Sequence, residues 1–180
     1  MRRNLLILFS FVALSAMVKA DVDCPTGHPT PEAYDGWQMG VQTWTFNRFT
    51  LFEAIDKTRS LGLNGIQAFP GQKVSSDIDV PFGPDLTDKQ KQAVKDKLHD
   101  AGLRIYAFGV VGIPADEISA RKLFDFAKEM GIGTLASEPS FEQFDLIDKL
   151  CQEYQIKLAI HNHPKPSHYW NPDTVLEACE

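Results

Sequence analysis

Cysteine is scarce in this sequence, with three residues among 180 and no closely spaced pair. This count and spacing exclude a zinc ribbon and a framework held together by disulfides. Cys151 falls on one helical stripe with Ile147 and Leu150, a pattern typical of a small buried hydrophobe. No pattern in the sequence indicates a role for Cys24 or Cys179.

Clusters of lysine and arginine are also absent, and the 24 acidic residues outnumber the 18 basic ones for a formal net charge of −6. Nucleic-acid binding draws on clustered basic side chains, so this balance argues against a nucleic-acid partner. A glycine-rich phosphate-binding fingerprint is missing as well. The first predicted strand is followed by Thr45-Phe46-Asn47-Arg48, which argues against a dinucleotide site.

Long hydrophobic runs are missing except at the start of the chain, where an apolar run extends from Leu5 to Val18 after a basic beginning. Lys19-Ala20 completes the pattern of a secretory signal peptide, so we predict that residues 1–20 are one and that the protein is exported, periplasmic or secreted. The run is short for a membrane span and is followed by Asp21, so a stable membrane anchor is the less favoured interpretation.

What the chain does contain is an alternation of strand-like and helix-like segments. Residues 21–37 have no period and are predicted to form an irregular arm before a single domain, residues 38–180. The predicted strands are residues 41–46, 65–69, 104–108, 133–137 and 156–160. Helices are predicted after the capping signals at Thr50, Thr87, Ser140 and Asn171-Pro172, and between Ala115 and Met130. Such alternation requires crossover connections and therefore predicts an α/β fold with a parallel sheet.

Two architectures fit five strand–helix units. An open five-stranded sheet would be complete, whereas an eight-stranded barrel needs roughly 250 residues and would be cut off here. The last predicted helix, Thr174 to Glu180, stops after about two turns without a cap at its end, a glycine or a following strand. This ending favours a (β/α)8 TIM barrel of which only about the first five units are present.

In either architecture the ligand site lies at the carboxyl ends of the strands. The predicted ends carry aromatic and polar side chains of the kind that bind a sugar ring and its hydroxyl groups. We expect substrate binding by Trp44, Gln67, Phe69 and Phe108. The alternative for Trp44 and Phe69 is a place in the barrel core, and the alternative for Gln67 is a bond to a neighbouring backbone group.

Two histidines and one glutamate stand out among these strand ends. His161 and His163 are two residues apart after the fifth predicted strand, so strand alternation directs both imidazoles to the same side, where they can share an ion or a substrate. Glu138 follows the fourth strand, a costly place for a carboxylate without a cation or several donors. We expect His161 and Glu138 to bind metal, and His163 and Glu138 to act in catalysis.

Four segments within about residues 38–180 carry a family pattern: Gly40 to Phe46 with its capped helix, "LGLNGIQAF", "SEPS" and "KLAIHNHP". Together they resemble the sugar isomerase/epimerase branch of the xylose-isomerase-like TIM barrels. The resemblance implies a divalent metal, manganese above all, with Mg, Zn or Co as alternatives. It also implies proton transfer next to the carbonyl of a small sugar or keto-sugar.

One departure from that family pattern concerns the fifth strand. Many relatives carry Glu-Asn-His where this chain has His161-Asn162-His163, so an imidazole stands in place of a carboxylate that serves as ligand and base. Further ligands would lie beyond Glu180. The leading expectation is a metal-dependent sugar isomerase or epimerase. The alternatives are a keto-glycoside lyase or hydrolase and a non-catalytic carbohydrate-binding protein, and a homo-oligomer of the full-length protein is left open.

Overall fold

The computed structural model describes residues 38–180, in which five strands alternate with five α-helices. The strands are β1 (Gly40–Gln42), β2 (Gly65–Ala68), β3 (Arg104–Gly109), β4 (Thr134–Ser137) and β5 (Lys157–Ile160). The helices are α1 (Leu51–Ser60), α2 (Asp88–Ala101), α3 (Glu117–Glu129), α4 (Phe144–Tyr154) and α5 (Pro172–Glu177). The predicted signal peptide, the arm and Cys24 lie outside the described residues.

All four strand pairings are parallel, and the strands lie in the order β1-β2-β3-β4-β5. This confirms the predicted α/β class with a parallel sheet. A strictly sequential order differs from the reversing order of doubly wound open sheets and is consistent with part of a TIM-barrel-like fold. The carboxyl ends of all five strands therefore lie along one edge.

Capping residues mark the starts of α1, α2 and α5 where the sequence predicted them, whereas the predicted cap Ser140 precedes a 3-10 helix over Phe141–Gln143 and α4 begins after it. Thr50 and Glu53 form a capping box before α1, and Thr87 and Gln90 form a second one before α2. The first strand, in contrast, is shorter than predicted. The side chain of Gln42 accepts a hydrogen bond from the backbone N–H of Trp44 and caps a 3-10 helix over Thr43–Phe46. The chain therefore leaves the sheet after Gln42 instead of after residue 46.

One face of the sheet packs against the helices and forms the core. Phe108 belongs to this core: it is fully buried, and its ring centroid lies 5.6 Å from that of Phe82 and 5.5 Å from that of Phe126. The structure therefore places Phe108, one of the residues expected to bind substrate, in the core with none of its side chain exposed. The cause is a shift of register between β2 and β3, which skips Tyr106, so that both Ile105 and Phe108 face the helices although they are three residues apart.

The opposite face of the sheet is open. Lys157 and Ala159 on β5 are exposed, and Gln42 and Gln67, which are paired in register, are half-buried. At Gly65 a Cβ atom would fall inside the ring of Tyr106. Glycine is required there because the Tyr106 side chain lies across β2, where its hydroxyl donates to Oδ1 of Asn64 at 3.0 Å.

The cysteine prediction can be checked for α4. Cys151 is half-buried and packs against the core, as predicted from its helical stripe, and burial raises the pKa of its thiol. Cys179 is exposed. Within residues 38–180, none of the helices has the length and apolar character needed to cross a membrane.

Candidate functional site

The sheet brings Glu138 and His161 together because each residue directly follows a strand. Ser137 and Ile160, the last residues of β4 and β5, are partners in the parallel ladder. The ladder continues by one bond, since the N–H of His161 donates to the carbonyl oxygen of Ser137 at 2.9 Å. The residues after the two strands therefore start side by side at the carboxyl edge.

A single carboxylate oxygen faces both imidazoles. Oε1 of Glu138 lies 3.4 Å from Nδ1 of His161 and is hydrogen-bonded to Nδ1 of His163. The two imidazole rings lie 4.5 Å apart at an angle of 50°. The other oxygen, Oε2, accepts a hydrogen bond from Oγ of Ser167 at 2.7 Å. Both histidines thus turn to the same side, as predicted, although His163 lies beyond the last residue of β5.

The environment of Glu138 favours its charged form. Its side chain is 21% exposed. Burial alone would raise the pKa of the carboxyl group, but the hydrogen bonds from Ser167, His163 and His161 together outweigh it and lower the pKa below its ordinary value. Glu138 is therefore a carboxylate at neutral pH. The expected cost of a buried charge is met here by three donors.

Glu138, His161 and His163 have the chemistry of a metal site. One ligand atom from each residue lies within 4.8 Å of the other two, and no other such group of three occurs in the described part of the chain. Two imidazole nitrogens and one carboxylate oxygen suit a divalent first-row ion. Even if all three residues were ligands, coordination positions would remain for water or substrate, as in catalytic sites. The residues present therefore fit the metal that the sequence pattern implies.

The two histidines form one side of a cleft of about 460 Å³ at the carboxyl edge of the sheet. The remaining wall comes from the last residue of β1 and from the segments that follow β1, β2 and β3. It consists of Gln42, Trp44, Thr45, Phe69, Pro70 and Val110. Trp44 is 60% exposed, and its ring centroid lies 5.0 Å from that of Phe69 in an edge-to-face arrangement. An aromatic pair thus faces a pair of imidazoles across the cleft.

The structure brings Trp44 and Phe69 together, but not in equivalent roles. Trp44 reaches the cleft from the 3-10 helix after β1 and is exposed within the described residues. Phe69 is 9% exposed, so most of its ring is buried and only a small part can meet a ligand. Trp44 therefore supplies most of the aromatic surface of the cleft.

Gln67 lies next to the cleft and is engaged with the backbone. Its Nε2 donates to the carbonyl oxygen of Gly109 at 3.3 Å, and Nε2 of Gln42 donates to the same oxygen at 3.5 Å. The alternative noted for Gln67, a bond to a backbone group, is therefore present. Binding of substrate by Gln67 stays a prediction.

Sequence reasoning missed two residues that shape this site, Gln42 and Ser167. A signal for Gln42 was present, because Gly40-Val41-Gln42 and Gly65-Ile66-Gln67 have the same order of glycine, apolar residue and glutamine. The two triplets pair in register in the sheet. Ser167 lies in a loop without periodicity, 29 residues from Glu138, and no local pattern indicates their contact.

Comparison with protein families finds no matching profile, and comparison with curated proteins finds no match either. Two solved structures from Parabacteroides distasonis ATCC 8503 are similar. An uncharacterised protein has a TM-score of 0.70 and 32% identity over 80% of this chain and 58% of its own. A sugar phosphate isomerase/epimerase has a TM-score of 0.54 and 16% identity over 78% of this chain and 63% of its own.

This chain spans about three fifths of the length of those two proteins. At 16% identity the second likeness shows a shared fold alone. The parallel sheet described above and this neighbour agree on a TIM-barrel-like α/β architecture.

Proposed function

We propose that this protein is a metal-dependent sugar isomerase or epimerase that transfers a proton next to the carbonyl of a small sugar or keto-sugar. The observation that carries the proposal is the cluster of Glu138, His161 and His163. Its two histidines line a cleft whose other wall holds the exposed ring of Trp44. The likeness to a sugar phosphate isomerase/epimerase supports it at the level of the fold. The barrel is then of the xylose-isomerase-like type, and the described residues supply five of its eight units.

His161 and Glu138 are the proposed metal ligands. The ion, preferably manganese, would polarise the sugar carbonyl and so acidify the neighbouring C–H bond when bound. Glu138 contributes the negative charge that a hard divalent ion prefers, and His161 contributes a nitrogen at the end of β5. Both side chains start from neighbouring strand ends, which fixes their separation.

His163 is the proposed base. Ionised Glu138 can accept hydrogen bonds but cannot donate them. When the imidazole of His163 is neutral, its single proton is therefore on Nδ1, the atom that contacts Glu138. The Nε2 atom of the same ring then has a free lone pair and can accept a proton from the substrate. A carboxylate that orients a histidine and stabilises its charged form in this way is a common arrangement for general bases.

Trp44 is the proposed platform for the sugar ring. Its exposed indole face can cover the apolar side of a sugar, while the hydroxyl groups point to the polar residues of the cleft. This exposed ring also favours a second candidate, a non-catalytic carbohydrate-binding protein. The keto-glycoside lyase or hydrolase shares the first proton transfer with the leading proposal and differs in the later loss of a leaving group.

Hydrogen exchange tests the leading proposal directly. The full-length protein is incubated with Mn²⁺ and a panel of ketopentoses and ketohexoses in D₂O. Mn²⁺, which broadens proton signals, is then removed, and proton NMR follows the signal next to the carbonyl. We expect that signal to disappear for at least one sugar, and to persist with a chelator or with the variant His163→Ala. His168→Ala, which changes an exposed histidine of the same loop, should exchange like the wild type.

Each other outcome has a definite meaning. Quenching of tryptophan fluorescence by a sugar without hydrogen exchange would contradict the proposed enzyme and support the non-catalytic carbohydrate-binding protein. Exchange accompanied by release of an aglycone from an oxidised glycoside would identify the lyase or hydrolase. Exchange that is unchanged in His163→Ala would contradict the proposed base.

A further inference from the structure

The loop between β5 and α5 is fastened to the segment after β4 by two hydrogen bonds. Oγ of Ser167 donates to Oε2 of Glu138 at 2.7 Å, and the hydroxyl group of Tyr169 donates to the carbonyl oxygen of Pro139 at 2.6 Å. Glu138 and Pro139 are adjacent in the chain. One bond therefore holds the carboxylate of Glu138, and the other holds the backbone next to it.

Tyr169 is the fixed end of this connection. Its side chain is 1% exposed and is among the largest fully buried side chains of the described residues. Burial raises the pKa of its hydroxyl group, so that the group stays protonated and keeps donating to Pro139. A buried aromatic ring with a satisfied hydroxyl group has little freedom to move. The loop position of Ser167, two residues earlier, is thereby set.

The hydroxyl group of Ser167 also has a defined direction. Its oxygen accepts a hydrogen bond from the backbone N–H of Tyr169 at 3.1 Å. A serine hydroxyl has one hydrogen to donate, and here it is directed to Oε2 of Glu138. The backbone N–H of Tyr169 therefore donates to Ser167, and Ser167 donates to Glu138.

The two oxygens of Glu138 therefore have different hydrogen-bond partners. Terminal carboxylate torsions are broad and do not by themselves select an orientation. With Oε2 held by Ser167, Oε1 is the oxygen that faces both His161 and His163. Neither Ser167 nor Glu138 is among the residues that line the cleft. Ser167 contacts the cluster through its hydrogen bond to Glu138, so its action on the two histidines passes through that carboxylate.

We propose that Ser167 is a positioning residue that holds the Glu138 carboxylate so that Oε1 faces the ion site and the two imidazoles, with Tyr169 as its anchor. This inference rests on the proposed metal site. Groups that orient a metal ligand in this manner typically contribute a factor of about 10–100 to metal affinity.

Calorimetric titration of the full-length protein with Mn²⁺ is the test. We expect Ser167→Ala to bind Mn²⁺ about 10–100-fold more weakly than the wild type. Ser167→Thr keeps the hydroxyl group and should restore the affinity. The matched control is Ser76→Ala, which removes another serine hydroxyl bonded to a carboxylate, that of Asp77, in an exposed loop. This control should bind Mn²⁺ like the wild type.

A spectroscopic measurement separates positioning from a general loss of structure. In the Co²⁺-loaded protein, Ser167→Ala should change the visible absorption bands, because the freed carboxylate alters the ligand geometry. Ser76→Ala and Ser167→Thr should leave the bands as in the wild type. Circular dichroism checks the fold of every variant. If Ser167→Ala does not fold, Ser167→Cys, with a much weaker donor of similar size, carries the same expectations.

Glu138→Gln distinguishes failure of this inference from failure of the metal site. If Glu138→Gln binds Mn²⁺ as well as the wild type does, the metal site is wrong, and the role of Ser167 with it. If Glu138→Gln loses binding while Ser167→Ala keeps both affinity and the Co²⁺ spectrum, the metal site stands and the positioning role is wrong.

Discussion

On the helix-covered face of the sheet, Ile66, Ile105 and Leu135 are buried, whereas on the other face Lys157 and Ala159 of β5 are exposed. The covered face is apolar and packs against the helices. Its residues therefore stabilise the fold by removing apolar surface from water. The open face leads to Glu138 and His161, whose arrangement depends on hydrogen bonds and charge. Substitutions on the two faces should therefore change different measured quantities.

The largest expected effect lies on the covered face. Phe108→Ala should lower the free energy of unfolding by about 3–5 kcal/mol, because it removes a fully buried ring from between Phe82 and Phe126. Urea denaturation followed by circular dichroism gives the value. Trp44→Ala is the control from the cleft, where an exposed ring should contribute less than about 1 kcal/mol. Equal losses for the two variants would contradict the comparison of the faces.

Most of the secondary structure was predictable because its signals are local. The capping boxes at Thr50 and Thr87 join residues three positions apart, so the sequence alone reveals them. Phe108 was misplaced because its direction depends on the irregular pairing of β2 with β3. Strand alternation counted along one strand cannot detect a residue that is skipped between two strands.

Part of the candidate site was also predictable from the sequence. Glu138 and His161 directly follow strands, and parallel strands end at one edge, so their meeting follows from the alternation of elements. Trp44 reaches the cleft for a different reason than predicted, because Gln42 ends the strand and starts a 3-10 helix. Ser167 depends on the path of a loop that the buried Tyr169 fixes by tertiary contact.

The second-largest expected effect is that of substituting His161, which directly follows β5. His161→Ala should weaken Mn²⁺ binding by the full-length protein at least about tenfold, since it removes a proposed ligand, while the free energy of unfolding changes by less than about 1 kcal/mol. Isothermal titration calorimetry and urea denaturation measure the two quantities. His168→Ala, an exposed histidine, should change neither. A loss of stability as large as that of Phe108→Ala, or unchanged Mn²⁺ binding, would remove His161 from the site.

The smallest expected effect is the dependence of stability on pH that Glu138 introduces. Burial of this carboxyl group opposes ionisation, but the bonds from Ser167, His163 and His161 lower its pKa in the folded protein below that of the unfolded chain. Ionised Glu138 therefore stabilises the folded state. This contribution is fully present above the unfolded pKa, about 4.3, and is lost as the pH falls through the lower pKa of the folded state.

The measurement is the difference in unfolding free energy between the wild type and Glu138→Gln, taken with a chelator present at pH values from 7 down to 3. We expect the difference to shrink as the pH falls below about 5. In the Ser167→Ala background the shrinkage should be smaller, because one of the donors that lower the pKa is gone. A difference that grows as the pH falls would mean that burial, and not the hydrogen bonds, determines the charge of Glu138. The carboxyl edge of the open face would then lack the electrostatic character that separates it from the covered one.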